Sequence, residues 1–264
     1  MRGALLSAWI TQSYALSAQQ VWRQVEPAVA APGLDRVRAF ARAHCDRLAG
    51  DARRPELAPG QRCDVPFPGL RATPWHANED FGWVASLEQN WRGAHDELTV
   101  FLDGDAAAWA APETALCLDA GSFEKLALLE DGTSTRVGQD HFHRTTELLL
   151  RSGVPLGPAP VSINRQPAGS RLPPHSDNAN FLLTGHLGLV VPDDGACEFV
   201  MAGEARRWRE GGVLLADTSF IHSTRNAVAS DRFLLHFTIW YPELTVAERG
   251  GIVRLHEALR AVGS

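Results

Sequence analysis

The 264-residue chain has a single lysine, Lys125, and its formal net charge is -6. Arginine supplies the rest of the positive charge; it stays protonated and forms no Schiff base. Amine-nucleophile chemistry would therefore rest on Lys125 alone. An acidic balance argues against a nucleic-acid partner, whose binding needs a basic face. The four cysteines, Cys45, Cys63, Cys117 and Cys197, form no CxxC pair, which excludes zinc-finger and thioredoxin spacings. Their even number leaves disulfides and free buried thiols both open. No GxxxxGK[ST] loop, GxSxG elbow or HExxH pair occurs, so nucleotide hydrolysis of the P-loop type and nucleophilic hydrolysis have no candidate. No apolar run reaches the roughly 18 residues that span a bilayer. The first twenty residues carry one charge, a short apolar patch and a small-residue end. That pattern weakly matches a secretory or organelle leader at 1–20, but the polar TQS interrupts the apolar run, as in an amphipathic first helix, and the compartment stays open.

What is present is apolar content of 45%, enough for one core with appendages. Residues 1–65 read as an N-terminal helical segment and 66–264 as the main domain. Apolar residues from Ala18 to Leu48 recur at helical spacing, and Ala31-Pro32-Gly33 divides them into two helices. A further helix is predicted from Asp80 to Phe101, another from His141 to Arg151, and a last one after Pro242. Residues 122–130 suit a strand. From Val161 the texture changes to short strands between Gly, Pro and Asp turns: VSINRQ, NFLLTGHLGLVV, CEFVMA, RRWREG, VLLAD and FLLHFTIWY. Strands at this spacing predict a sandwich or barrel, making the fold α+β with a mainly β core and flanking helices.

The chemistry concentrates between Pro173 and Arg232. Side chains at i and i+2 of an extended segment share a face, so His175 and Asp177 point together. If a late strand returns beside an early one, as in a jelly roll, His222 joins them. Two histidines and a carboxylate are the ligand set of non-haem Fe(II) oxygenases. The plain alternative makes His175 a turn residue and Asp177 a helix or turn cap. Arg232, ten residues after His222, would sit deeper in such a barrel, where its planar fork can grip a carboxylate bidentately. On LLTGHLGLVV, alternation puts His186 on the face opposite Leu183, Leu187 and Leu189; it is either a pocket hydrogen-bond donor or a satisfied core histidine. Asn164 could face inward on a neighbouring strand, and His236 shares the alternation of Arg232.

The blocks PHSDNANFLLTGHLGLVVP, WREGGVLLADTSFIHSTRN and DRFLLHFTIWYPELTVAE resemble the aspartyl/asparaginyl β-hydroxylase family of 2-oxoglutarate-dependent dioxygenases. Upstream FPGLRATPW and the LEQNW–DEL segments are similar too, so the resemblance runs from about Pro66 to Glu248. HLGL, DTSFIH and WYPELT, in this order, are its most specific pieces. The resemblance implies a double-stranded β-helix, a cupin-like jelly roll, that uses Fe(II), O2 and 2-oxoglutarate, releases succinate and CO2, and takes ascorbate as reductant. It implies His175 and His222 as iron ligands and Arg232 at the far carboxylate of 2-oxoglutarate. His186 matches a contact to the oxo-acid end. Asn164 stands where the animal peptide hydroxylases have a serine that helps hold 2-oxoglutarate, and Asn180 matches the family pattern. Those enzymes have glycine where Asp177 stands, so this chain is expected to carry a full His–Asp–His triad, which counts against halogenation. They also have arginine where Thr184 stands, which puts an aspartyl-peptide substrate in question. The expected substrate is a peptide or protein residue. The alternatives are a lipid acyl chain or small metabolite, a catalytically silent metal- or carboxylate-binding barrel, and a cupin-type zinc or manganese enzyme.

Overall fold

A computed structural model describes residues 17–50, 55–104, 123–192 and 197–262. The possible leader lies mostly outside these residues, as does Cys117. Ser17 opens α1 (Ala18–Val25) with a capping box: its hydroxyl accepts from the Gln20 amide, and the Gln20 side chain returns to the Ser17 backbone. Two of the otherwise unpaired helix-start donors are thereby satisfied. Pro27 sits in the first turn of a short 3-10 segment, and α2 (Asp35–Leu48) follows. The helix predicted over Asp80–Phe101 is two helices, α3 (Val84–Asn90) and α4 (Arg92–Gly104). The break falls at Trp91, whose indole lies where a side chain on Gly211 would be, 2.4 Å from that position. Docking of this ring on a distant turn overrides the helical period. The helix expected from His141 begins after buried Phe142 as α6 (His143–Arg151), and an unforeseen α5 (Arg136–His141) precedes it.

Eleven strands are formed among the described residues: β1 (Trp75–His76), β2 (Glu124–Glu130), β3 (Thr133–Ser134), β4 (Val161–Gln166), β5 (Arg171–His175), β6 (Leu182–Val190), β7 (Cys197–Met201), β8 (Glu204–Arg207), β9 (Val213–Ala216), β10 (His222–Asn226) and β11 (Arg232–Trp240). They make a seven-stranded sheet, ordered β1-β9-β6-β11-β4-β2-β3, and a four-stranded sheet, ordered β5-β10-β7-β8. From β4 onward the chain passes back and forth between the two sheets, with only the β7–β8 hairpin staying in one. Alternation of sheets with antiparallel pairing throughout is the jelly-roll arrangement, in agreement with the expected fold. Four strands fall outside the predicted segments: the two-residue β1 and β3, β5, which contains Pro173 and Pro174, and the polar β10. RRWREG is also not a strand beyond Arg207, since Trp208 leaves β8 and turns inward.

The large sheet has two differently used faces. Leu126 and Leu128 of β2, Ile163 of β4, Leu183, Leu187 and Leu189 of β6, and Leu235, Phe237 and Ile239 of β11 pack with the helices into the main core. The opposite face meets the small sheet around Trp75, Phe199, Met201, Trp208, Ala216 and Leu234. Directly opposed residues on antiparallel strands share a face, so this inner surface can be read as rows. Lys125, Asn164 and Leu234 form one; Ala127, Ser162, His236, His186 and Leu214 the next; Thr238, Thr184 and Ala216 a third. The C-terminal helix α7 (Val246–Val262) closes the helical layer. Thr245 and Glu248 cap it reciprocally, and Glu248 also takes Arg36 of α2 at 2.7 Å. The PELTVAE stretch therefore has a structural task in joining α2 to α7. Cys45 and Cys63 are buried free thiols, and Cys197 is buried with its Sγ 3.2 Å from Asn226 Oδ1.

Candidate metal and co-substrate site

His175 closes β5 and His222 opens β10, and the two are register partners across the small sheet. Their ring centroids are 4.2 Å apart. Each ring is tied back in the same way. His175 Nδ1 lies 2.8 Å from the Pro173 carbonyl, and His222 Nδ1 lies 2.9 Å from the Phe220 carbonyl. A carbonyl oxygen only accepts, so each Nδ1 must carry the proton, which leaves a lone pair on each Nε2. Metal-binding histidines are held in this manner, with the second ring nitrogen fixed by an outer partner.

Asp177 lies just past the end of β5, in the Ser176–Asn180 loop. Alternate residues of that loop face opposite ways. The Ser176 hydroxyl donates to the Arg62 carbonyl, Asn178 exchanges hydrogen bonds with Asp64, and Asn180 both accepts from the Phe67 amide and donates to its carbonyl. Asn178 adopts φ 62°, a left-handed conformation that asparagine tolerates better than most residues. With 176, 178 and 180 clamped on the 62–67 segment, Asp177 is aimed the other way, and its Oδ1 comes within 3.8 Å of His175 Nε2. Its amide donates to the Thr218 carbonyl at 2.9 Å. One donor atom each from His175, Asp177 and His222 can be chosen so that all three lie within 4.8 Å of one another. The donor set suits a divalent first-row metal: two imidazole nitrogens with free lone pairs and one carboxylate on a single side. Burial pushes the Asp177 pKa up, but His222, the Thr218 hydroxyl and His175 outweigh it and leave the group below the ordinary carboxylate value. Burial lowers the His222 pKa, opposed by Asp177. Both shifts favour the deprotonated forms that a cation needs.

Arg232, the first residue of β11, is 1% exposed, and its Nε and Nη1 have no hydrogen-bond partner. Burial lowers its pKa to about 9, so it remains charged at neutral pH. The guanidinium stacks 3.9 Å from the Trp208 ring. That same indole donates to His186 Nδ1 at 3.3 Å. With Nδ1 accepting, the proton of the neutral imidazole sits on Nε2. Burial, with the charges of His236 and Arg232 next, holds the His186 pKa well below the ordinary value. Asn164 is buried, and its Oδ1 accepts from Ser162 at 2.7 Å, leaving its amide nitrogen to donate. His236 faces His186 with ring centroids 5.3 Å apart.

Asn180 is not aimed at this space, since both ends of its amide are taken by Phe67. Its part is to hold the loop that presents Asp177. Trp208, by contrast, was not singled out from sequence, yet it touches both His186 and Arg232. Its placement depends on Gly188, where a Cβ would lie 2.2 Å from the Arg209 carbonyl. The Gly188 amide donates to the Gly212 carbonyl, and its own carbonyl accepts from the Gly211 amide. This docks the turn after Trp208 against β6. Asp217 of the DTS stretch is also buried. Burial raises its pKa to about 7 against the hydrogen bonds from Ser219. A cavity of about 780 Å³ against α7 shares no residue with the cluster.

A sequence model of the aspartyl/asparaginyl beta-hydroxylase family matches residues 88–242. The aspartyl/asparaginyl beta-hydroxylase of Mus musculus is 32% identical over 188 residues, which is 69% of this chain and 25% of that protein. The aspartate beta-hydroxylase domain-containing protein 2 of Xenopus tropicalis is 36% identical over 84 residues, 31% of this chain and 22% of that one. The chain thus spans about a quarter of the length of the curated relatives it matches. Among solved structures, an oxidoreductase of the 2OG-Fe(II) oxygenase family from Burkholderia pseudomallei aligns with 64% of this chain and 93% of its own, at 18% identity and a TM-score of 0.42.

Proposed function

The chain belongs to the aspartyl/asparaginyl β-hydroxylase family, and on that premise we propose that it is an Fe(II)- and 2-oxoglutarate-dependent dioxygenase. The reaction is hydroxylation of an unactivated C–H bond, with succinate and CO2 as co-products, on an aspartyl or asparaginyl residue or a related substrate. The observation that carries this reading is the pair of tied-back imidazoles, His175 and His222, each with a donor atom within 4.8 Å of the other's and of an Asp177 carboxylate oxygen. These three side chains would hold the metal. Bound there, iron would supply the oxidising chemistry by which O2 and 2-oxoglutarate functionalise the substrate, with ascorbate as the external reductant.

The protein's own residues do the binding and orienting. Arg232, whose Nε and Nη1 have no protein partner, offers its guanidinium to the far carboxylate of 2-oxoglutarate in a buried setting, where a charge-assisted contact is strong. His186 offers its Nε2–H, and Asn164 its amide nitrogen, to the remaining oxygens. Each donor is fixed beforehand, by Trp208 and Ser162 respectively, so little reorganisation accompanies binding. The apolar lining from Phe199, Leu234 and Trp208 keeps the space dry, which strengthens these contacts.

The test is turnover of 2-oxoglutarate with Fe(II) and ascorbate, read as succinate. Wild type is expected to form succinate even without its prime substrate. His175→Ala and His222→Ala should lower the rate at least about a hundredfold, the upper end of losses seen when even an outer partner of a metal ligand is removed. Folded wild type that forms no succinate would instead support a silent carboxylate- or metal-binding barrel.

A further inference from the structure

We propose that Lys125, the chain's one lysine, is a specificity-determining residue that receives a carboxylate of the primary substrate. The inference rests on the dioxygenase reading above and names a substrate contact for it. Three observations place Lys125 there. On β2, Leu126 and Leu128 point into the main core, so Lys125 projects from the opposite, inner face. It is the register partner of Asn164, which is paired in turn with Leu234. Secondly, the Lys125 residue is exposed, yet it lies close enough to Asp177, His236 and His186 to interact with them electrostatically. It therefore stands where the inner face opens to solvent, within electrostatic reach of the metal-ligand cluster. Thirdly, it makes no hydrogen bond or ion pair among the described residues, and its one ring contact is with Phe123, at 5.8 Å.

Among the described strand residues of the large sheet's inner face, the permanent cations are Arg232 and Lys125. Arg232 is sealed in the interior. Thr184, two rows beyond Lys125 on the same face, is neutral and spent on Thr218. This face thus has one buried cation suited to a co-substrate and one exposed cation without a hydrogen-bond or ion-pair partner among the described residues. An anion entering from solvent meets the second. An ammonium on a flexible stem suits a ligand of variable pose, and it discriminates a carboxylate from a carboxamide, which carries no charge.

A single lysine makes the test direct. Reductive methylation with ¹³C-formaldehyde labels one lysine signal, separate in shift from that of the chain terminus. With Zn(II) and 2-oxoglutarate present, N-acetyl-aspartate amide should move the lysine signal saturably, and N-acetyl-asparagine amide should leave it in place. Tryptophan fluorescence on unlabelled protein should show Lys125→Met weakening the aspartate probe about tenfold, in the range of a hydrogen bond to a charged group. Lys125→Arg should recover most of that loss. The proposal is overturned if neither probe moves the lysine signal, or if both move it equally. It is also overturned if Lys125→Met weakens 2-oxoglutarate and leaves the aspartate probe unchanged, because Lys125 would then serve the co-substrate. Failure of wild type to bind 2-oxoglutarate at all would be a different result, sinking the dioxygenase reading itself.

Discussion

A buried guanidinium with no carboxylate beside it is costly, because a charge leaves water without a counterion. Arg232 is in that position, and Trp208 is what the fold supplies instead: an aromatic face at 3.9 Å. A cation over an indole recovers part of the lost solvation while leaving the in-plane N–H groups free for a ligand. The same indole fixes the tautomer of His186, so one side chain prepares two of the three groups proposed to hold 2-oxoglutarate. Trp208→Phe keeps an aromatic face but removes the N–H donor. It should raise the KM for 2-oxoglutarate by about three- to tenfold, the scale of one neutral hydrogen bond, with a smaller change in kcat. Arg232→Ala should raise the same KM by at least about a hundredfold, since a charged bidentate partner is lost. Steady-state succinate formation at varied 2-oxoglutarate checks both. At this scale the sequence was legible where chemistry is local. His175, Asp177 and His222 could be picked out by residue type and order, and Arg232 by its offset from His222. Trp208 was hidden because RRWREG fits a strand pattern, and only the close approach permitted by Gly188 turns it inward. Asn180 matched a motif, yet its partner Phe67 is 113 residues away, a distance over which no local pattern reports.

Among elements, strands with apolar alternation could be read directly, and VSINRQ coincides with β4. The two that carry the histidines could not. β5 contains two prolines, which is tolerable because it is the edge of the four-stranded sheet and half its backbone groups need no ladder partner. β10, HSTRN, lacks alternation because its inward residues are polar. They are satisfied across the sheets, Thr224 by Gln166 and Asn226 by the Gln166, Pro167 and Ser230 carbonyls. Helix joins follow the same lesson. Glu248 lies under the first turn of α7, and its hydrogen bonds with Arg36 hold its pKa near about 2, against the opposing effect of burial. A carboxyl whose folded pKa is depressed stabilises the fold above its unfolded pKa, and the gain is lost as pH falls through the folded value. The α2–α7 clamp should therefore weaken between about pH 4.5 and about 2. Glu248→Gln should destabilise the protein by about 1–2 kcal/mol at pH 7, Arg36 being partly solvated. It should also flatten the acid limb of thermal stability. Melting curves of the two proteins from pH 7 to 2.5 read the difference.

For the molecule as a whole, the two sheet faces divide the work. One face packs with the helices in the main core, and the other meets the small sheet, where the histidines, Arg232 and Asn164 stand beside an apolar cluster. The helices need only hold the large sheet in place, and the 62–67 segment reaches from their side to pin the loop that carries Asp177. Among the described residues no helix is long and apolar enough to cross a membrane. The account stands or falls on the claim that His175, Asp177 and His222 form one cation site, with the carboxylate taking part. Anaerobic Fe(II) titration of the metal-stripped protein, followed by calorimetry in parallel with the three alanine variants, tests it most directly. The account predicts one ion per chain for wild type, at least about a hundredfold weaker binding for His175→Ala and His222→Ala, and a weakening of about tenfold or more for Asp177→Ala. Wild-type protein that binds no Fe(II), or His175→Ala and His222→Ala variants that bind it as tightly as wild type, would contradict it.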